Sequence, residues 1–151
     1  MKVPERFSKM ENDTLKLLKE CNSGVKMGES AFKKVLPHVK NEELKKALTL
    51  GKSSHDAIGA ELHDRLCSLG ESTKTSHPLA QAMSEVKVAA KMLNPSDKTI
   101  AGIMTDGCDM GIKFVNGYLN EYKKADSDSK DIAKRLIASE EFLERKLRPY
   151  L

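Results

Sequence analysis

Three residues of this 151-residue chain carry chemistry that stands out from their surroundings. His55, Cys108 and Glu140 each fall on a helix-spaced run of apolar residues. An imidazole, a thiol and a carboxylate, with water as a fourth ligand, make the donor set of a single zinc or iron ion. The same groups also make a plain hydrogen-bonded core, with His55 paired to Glu140 and Cys108 packed as a small apolar residue. A third reading rotates the stripes so that all three groups face water. The choice matters, because an unpaired buried polar group costs roughly 1–3 kcal/mol.

The elements that must position these groups are four amphipathic segments. In the first, Leu18, Cys21, Val25, Gly28, Phe32 and Val35 recur at steps of three and four. Asn12, Asp13 or Thr14 is expected to cap its start. Pro37 and Asn41 mark its end. The second runs from about Glu42 to Leu69, with Leu44, Leu48, Gly51, His55, Ile58, Leu62, Leu66 and Leu69 on one stripe and Gly70 as the stop. Pro78 then opens a short amphipathic helix to Leu93, and Asn94 to Asp97 close it and cap the next. The third long segment carries Ile100, Met104, Gly107, Cys108, Gly111, Val115, Tyr118 and Tyr122. After the charged stretch Lys123 to Lys130, the fourth carries Ala133, Leu136, Glu140, Leu143, Leu147 and Tyr150.

Short connections force two antiparallel hairpins. The expected fold is all-α: an up-down four-helix bundle of two hairpins, with a long crossover carrying a short extra helix, in one domain over residues 1–151. With reversals near residues 40 and 124, a rise of about 1.5 Å per residue puts Val25, His55, Cys108 and Glu140 in one layer.

The two hairpins resemble each other. Cys21 to Gly28 can be laid on Met104 to Gly111, matching Gly24 with Gly107, Met27 with Met110 and Gly28 with Gly111. His55 then falls against Glu140, Ile58 against Leu143 and Leu62 against Leu147. Glycine inside a helix costs roughly 0.5–1 kcal/mol against alanine. Repeated glycines therefore suggest close backbone approach of the first helix to the third.

Cys21-x-x-Gly24, the Pro78 to Leu93 crossover and the Asp106-Gly107-Cys108-Asp109 turn of the third helix are similar to those of ferritin-like four-helix bundles. More specifically, they resemble an uncharacterised bacterial ferritin-like family, a domain of unknown function, over about Thr14 to Leu147. The resemblance implies a Glu from each of helices one and three and a Glu-x-x-His from each of helices two and four, around two iron ions. This chain has Val25 and Cys108 at the first two positions, Lys52 three residues before His55, and Ile137 three before Glu140. Ferroxidase, oxygenase and iron-storage chemistry therefore find no ligand set. A single zinc or iron ion on His55, Cys108 and Glu140 is what such a relic would hold, and otherwise no cofactor is expected.

Composition narrows the rest. The 26 basic and 22 acidic residues give a net charge of +4 and are interspersed, with no basic run longer than two. That describes a solvated surface rather than a nucleic-acid footprint. No apolar run is long enough to cross a membrane, and the first residues lack the apolar stretch of a secretory leader. Three cysteines without a C-x-x-C fit a reducing, cytoplasmic setting. No nucleophile elbow, phosphate-binding loop or H-E-x-x-H is present. His63 and His77 read as surface, and Met27, Met83, Met92, Met104 and Met110 as core filler. The function expected from these residues is non-enzymatic: a binding or structural protein that self-associates or docks another protein. Spare apolar residues such as Phe7, Met10 and Phe142 would supply the contact. The alternative is the single-metal relic.

Overall fold

The computed structural model describes residues 5–71, 87–89, 91–93 and 95–151. Among them every regular element is helical and there is no strand. The long helices are α1 (Glu5–Val35), α2 (Glu42–Ser68), α3 (Asp97–Glu121) and α4 (Ser127–Leu147), with short 3-10 turns at Leu36–His38 and Arg148–Tyr150. The expected crossover helix over 78–93 lies mostly outside the described residues. Those described within it include 87–89 and 91, which are helical.

Three of the helix starts are fixed by capping side chains. Asn41 Oδ1 accepts from the backbone N–H of Glu43 and Leu44, Ser96 from Thr99, and Asp126 from Ser129. Each satisfies N–H groups that the first helical turn leaves without partners. Gly70, at φ +74°, follows the last turn of α2 in the left-handed conformation that glycine adopts without strain.

The expected cap of α1 among Asn12, Asp13 and Thr14 is corrected, because the helix runs straight through those residues. Their acceptors serve another reversal. Asp13 Oδ2 takes the N–H of Lys124 at 3.0 Å, and Thr14 Oγ1 takes that of Asp126 at 2.8 Å. Both side chains are buried there. At the opposite end, Asp97 accepts from the N–H groups of Lys40 and Asn41, fastening the α1–α2 reversal to the start of α3.

Close approaches give the helix directions. Val25 faces Gly59, Gly28 faces His55 and Phe32 faces Gly51, so α1 and α2 are antiparallel. Gly51 faces Leu143, His55 meets Glu140 and Glu61 meets Arg135, so α2 and α4 are antiparallel as well. α3 begins beside the end of α1 and finishes beside its start, where Lys16 sits 6.0 Å over the Tyr122 ring. α2 and α3 thus run in the same direction, and the chain between them connects opposite ends of the molecule.

The apolar stripes face inward almost as their spacing predicts. Leu18, Cys21, Val25, Phe32, Val35, Leu44, Leu48, Leu62, Leu66, Ile100 and Leu147 are at most 1% exposed. Fully burying one such aliphatic side chain is worth about 1.5–3 kcal/mol. Two stripe residues depart. Leu69 caps the end of α2 and is 46% exposed, and Gly107 lies on the outer face of α3. Met110 is also outside, at 40% exposure, rather than filling the core. The core forms two apolar clusters. One gathers around Leu17, Leu62, Val115 and Leu136, and the other around Phe32, Leu48, Met104 and Leu143. Between them lies the polar layer.

Candidate functional site

His55, Cys108 and Glu140 meet in that layer, each from a different helix. His55 is 1%, Cys108 2% and Glu140 8% exposed, which overturns the reading that placed them in water. His55 Nε2 lies 2.6 Å from Glu140 Oε1, and His55 Nδ1 lies 3.0 Å from the carbonyl oxygen of Gly51. The Cys108 thiol lies close enough to Glu140 to feel its carboxylate. The edge of the Phe32 ring closes the layer on the α1 side, 5.2 Å from the imidazole centre at an interplanar angle of 70°.

The carbonyl of Gly51 settles one proton. A carbonyl oxygen only accepts, so Nδ1 carries hydrogen and donates. Nε2 and Glu140 then share the other. Burial alone pushes the His55 pKa down. The Glu140 hydrogen bond and charge, the Gly51 carbonyl and the more distant Glu29 carboxylate outweigh it and hold the pKa above the ordinary histidine value. The favoured state is an imidazolium whose two N–H groups donate to Gly51 and to the Glu140 carboxylate. Glu140 accepts from His55, and a charge-assisted bond of this kind is among the stronger ones.

Cys108 is no nucleophile in this setting. Burial first, then the Glu140 carboxylate it faces, pushes its pKa well above the usual thiol range and keeps it protonated. Burial likewise pushes Cys21 up to about 12. Among the described residues, no group of three or more His, Cys, Asp or Glu side chains is placed to hold a metal ion. In the layer itself, Nε2 is directed at the carboxylate and the thiol at the same carboxylate.

Two glycines make room for the pair. A Cβ on Gly28 would stand 2.8 Å from His55 Cδ2 and 3.0 Å from Nε2. A Cβ on Gly111 would meet Glu140 at 3.4 Å. The expectation that repeated glycines bring the backbones of α1 and α3 together is therefore corrected. Gly28 and Gly111 each face the polar side chain of their own hairpin partner, while Gly24 and Gly107 have nothing within 4 Å. This gives the internal repeat a physical content: each hairpin sets a glycine on one helix against a polar residue on the other.

The layer argument placed Cys108, His55 and Glu140 together and misplaced Val25. Leu36–His38 form a 3-10 turn, and the pairs Gly28–His55 and Val25–Gly59 centre the reversal about two residues beyond residue 40. The register slides by about one helical turn, putting Gly28 opposite His55 and Val25 opposite Gly59. It also brings in Glu29, which sequence reasoning missed. Its carboxylate oxygen borders Gly59, and its charge reaches His55. The missed signal was its place four residues after Val25, on the same helix face.

Other candidates are peripheral. Glu61 is held by Arg135, with bonds of 2.5 and 2.8 Å, and its carboxyl lies below the usual range because of that guanidinium. His63 pairs with Cys67 on the outer face of α2, and His77 lies outside the described residues. An open depression of about 400 Å³ at the end of the molecule is lined by Pro37, His38, Val39, Lys40, Pro95 and Ser96, and by none of the core polar groups. No helix among the described residues is long and apolar enough to cross a membrane. No family model, curated protein or solved structure matches the chain.

Proposed function

We propose that the chain is a ferritin-like four-helix bundle that works by binding, through self-association or a protein partner, and carries out no reaction of its own. The observation that carries this reading is two large aromatic side chains left half-exposed. Phe114 on α3 and Phe142 on α4 are each 50% exposed, in a chain with only seven Phe and Tyr residues to place. Aromatic residues are enriched where proteins meet one another. Phe114 stacks on Tyr118, and Tyr118 on Tyr122, so the exposed ring leads into two tyrosines half-buried against the core. Two antiparallel hairpins joined by one long connection support the ferritin-like assignment. Lys52, standing where a ligand glutamate would be, turns outward to Asp56 at 2.7 Å. The polar layer acts in this reading as a structural lock between the two apolar clusters.

Sedimentation over a range of protein concentrations tests the reading. Reversible association, weakened by Phe142→Glu or Phe114→Glu, is expected. A monomer at every concentration, unchanged by either substitution, contradicts the self-association form. A second reading, a single zinc or iron ion on His55, Cys108 and Glu140, starts from three ligand types brought to one layer by three helices, though not in an arrangement that holds a metal ion as they stand. Binding there would require Glu140 to release His55 and Cys108 to give up its proton. Metal near one equivalent per chain, lost in His55→Ala and Cys108→Ala, would establish it.

A further inference from the structure

Outside the core, α2 carries a second arrangement of ligand-type side chains. His63 and Cys67 are one helical turn apart, both are exposed, and Cys67 is a free thiol. Residues at i and i+4 share a helix face. The Cys67 Sγ to His63 Nε2 distance is 3.6 Å. A tetrahedral zinc ion with Zn–S of about 2.3 Å and Zn–N of about 2.0–2.1 Å has an S···N edge of about 3.6 Å. The two atoms, now joined by a hydrogen bond, therefore already have the separation of adjacent corners of a zinc tetrahedron. Neither side chain is tied into the core, and no other bond to either is seen among the described residues. Cys21 and Cys108, by contrast, are buried and held as thiols.

We propose that His63 and Cys67 form half of a structural zinc site, completed by the same pair from a second copy of this chain. Two ligands leave a tetrahedral ion half-coordinated. A two-fold axis through the ion supplies the missing corners and gives a Cys2His2 shell, the closed form of structural zinc sites. Each Cys67 thiol loses its proton to solvent as the Zn–S bond forms, so two protons leave per ion bound. The inference rests on the self-association reading and adds to it a second contact, on α2, that needs zinc.

The experiment titrates the reduced full-length chain with zinc and, separately, with cobalt, and follows molecular mass by light scattering. The proposal expects saturation at one ion per two chains. Mass doubles with the metal and halves again on adding a chelator, and cobalt gives a thiolate charge-transfer band. His63→Ala and Cys67→Ser should each abolish binding while leaving the helical circular dichroism unchanged. His55→Ala should still bind. Saturation at one ion per chain without a change of mass overturns the proposal, as does binding that survives both surface substitutions. A dimer that forms without metal and takes up none overturns it too, but leaves the self-association reading standing. A monomer under every condition removes both.

Discussion

Removing one partner of the His55–Glu140 pair and removing both should have very different consequences. Glu140→Leu leaves a ring that is 1% exposed, with Nε2 facing a leucine and Nδ1 still on Gly51. Breaking a buried pair from one side costs roughly 3–5 kcal/mol. For a domain of this size that lowers the melting temperature by about 2–4 °C per kcal/mol, or roughly 6–20 °C. Replacing both residues with leucine removes the stranded group as well, and such swaps are commonly neutral or stabilising by about 1–4 kcal/mol. A double-mutant cycle by urea denaturation measures the coupling. The pair also sets the pH dependence. The folded-state pKa of His55 is raised, so its contribution is complete below the unfolded histidine value of about 6.5 and is lost as pH rises through the folded value. Wild-type stability should therefore fall from about pH 6.5 upward, and Glu140→Gln should flatten that fall. Wild-type stability that rises over this range, or a Glu140→Leu variant within about 0.5 kcal/mol of wild type, refutes the reasoning.

The two glycines of the layer separate further. Gly28→Ala pushes a Cβ to 2.8 Å from a ring held at both nitrogens and should cost about 1–3 kcal/mol by denaturant titration. Gly111→Ala makes an ordinary contact at 3.4 Å, so the helix-propensity gain of about 0.5–1 kcal/mol should show. Asn41→Ala removes the cap of α2 and should lower stability by about 1 kcal/mol. A thiol reagent should modify Cys67 at once in the folded protein, and Cys21 and Cys108 only as it unfolds, read by mass spectrometry with and without urea.

Much of the fold could be read from residue spacing because burial follows helix period so closely. The stripe of α2 from Leu44 to Leu66 is buried at every position named for it. What could not be read was what depends on neighbours far away in the chain. Asp13 and Thr14 carry the side chains of helix caps, but a cap needs its own helix to begin there. Their acceptors instead meet N–H groups more than a hundred residues away. Gly28 and Gly111 signalled a close approach, and only the packed structure shows that a side chain, not a backbone, fills the space. The site was legible to within a helical turn. Cys108, His55 and Glu140 were placed together, whereas Val25 was put where Gly28 stands, because the α1–α2 reversal is centred about two residues later than residue 40. The His63–Cys67 pair was passed over because a polar helix flank gives no hint in sequence that two side chains touch.

The account stands most directly on the protonation of His55. Nitrogen NMR of the imidazole across a pH titration reads it. The structure predicts a hydrogen on Nδ1 at every pH, an Nε2 that gives up its proton only above the ordinary histidine range, and a Cys108→Ala variant that keeps this signature. A His55 ring carrying one proton at neutral pH, with the titration of a free histidine, would contradict it.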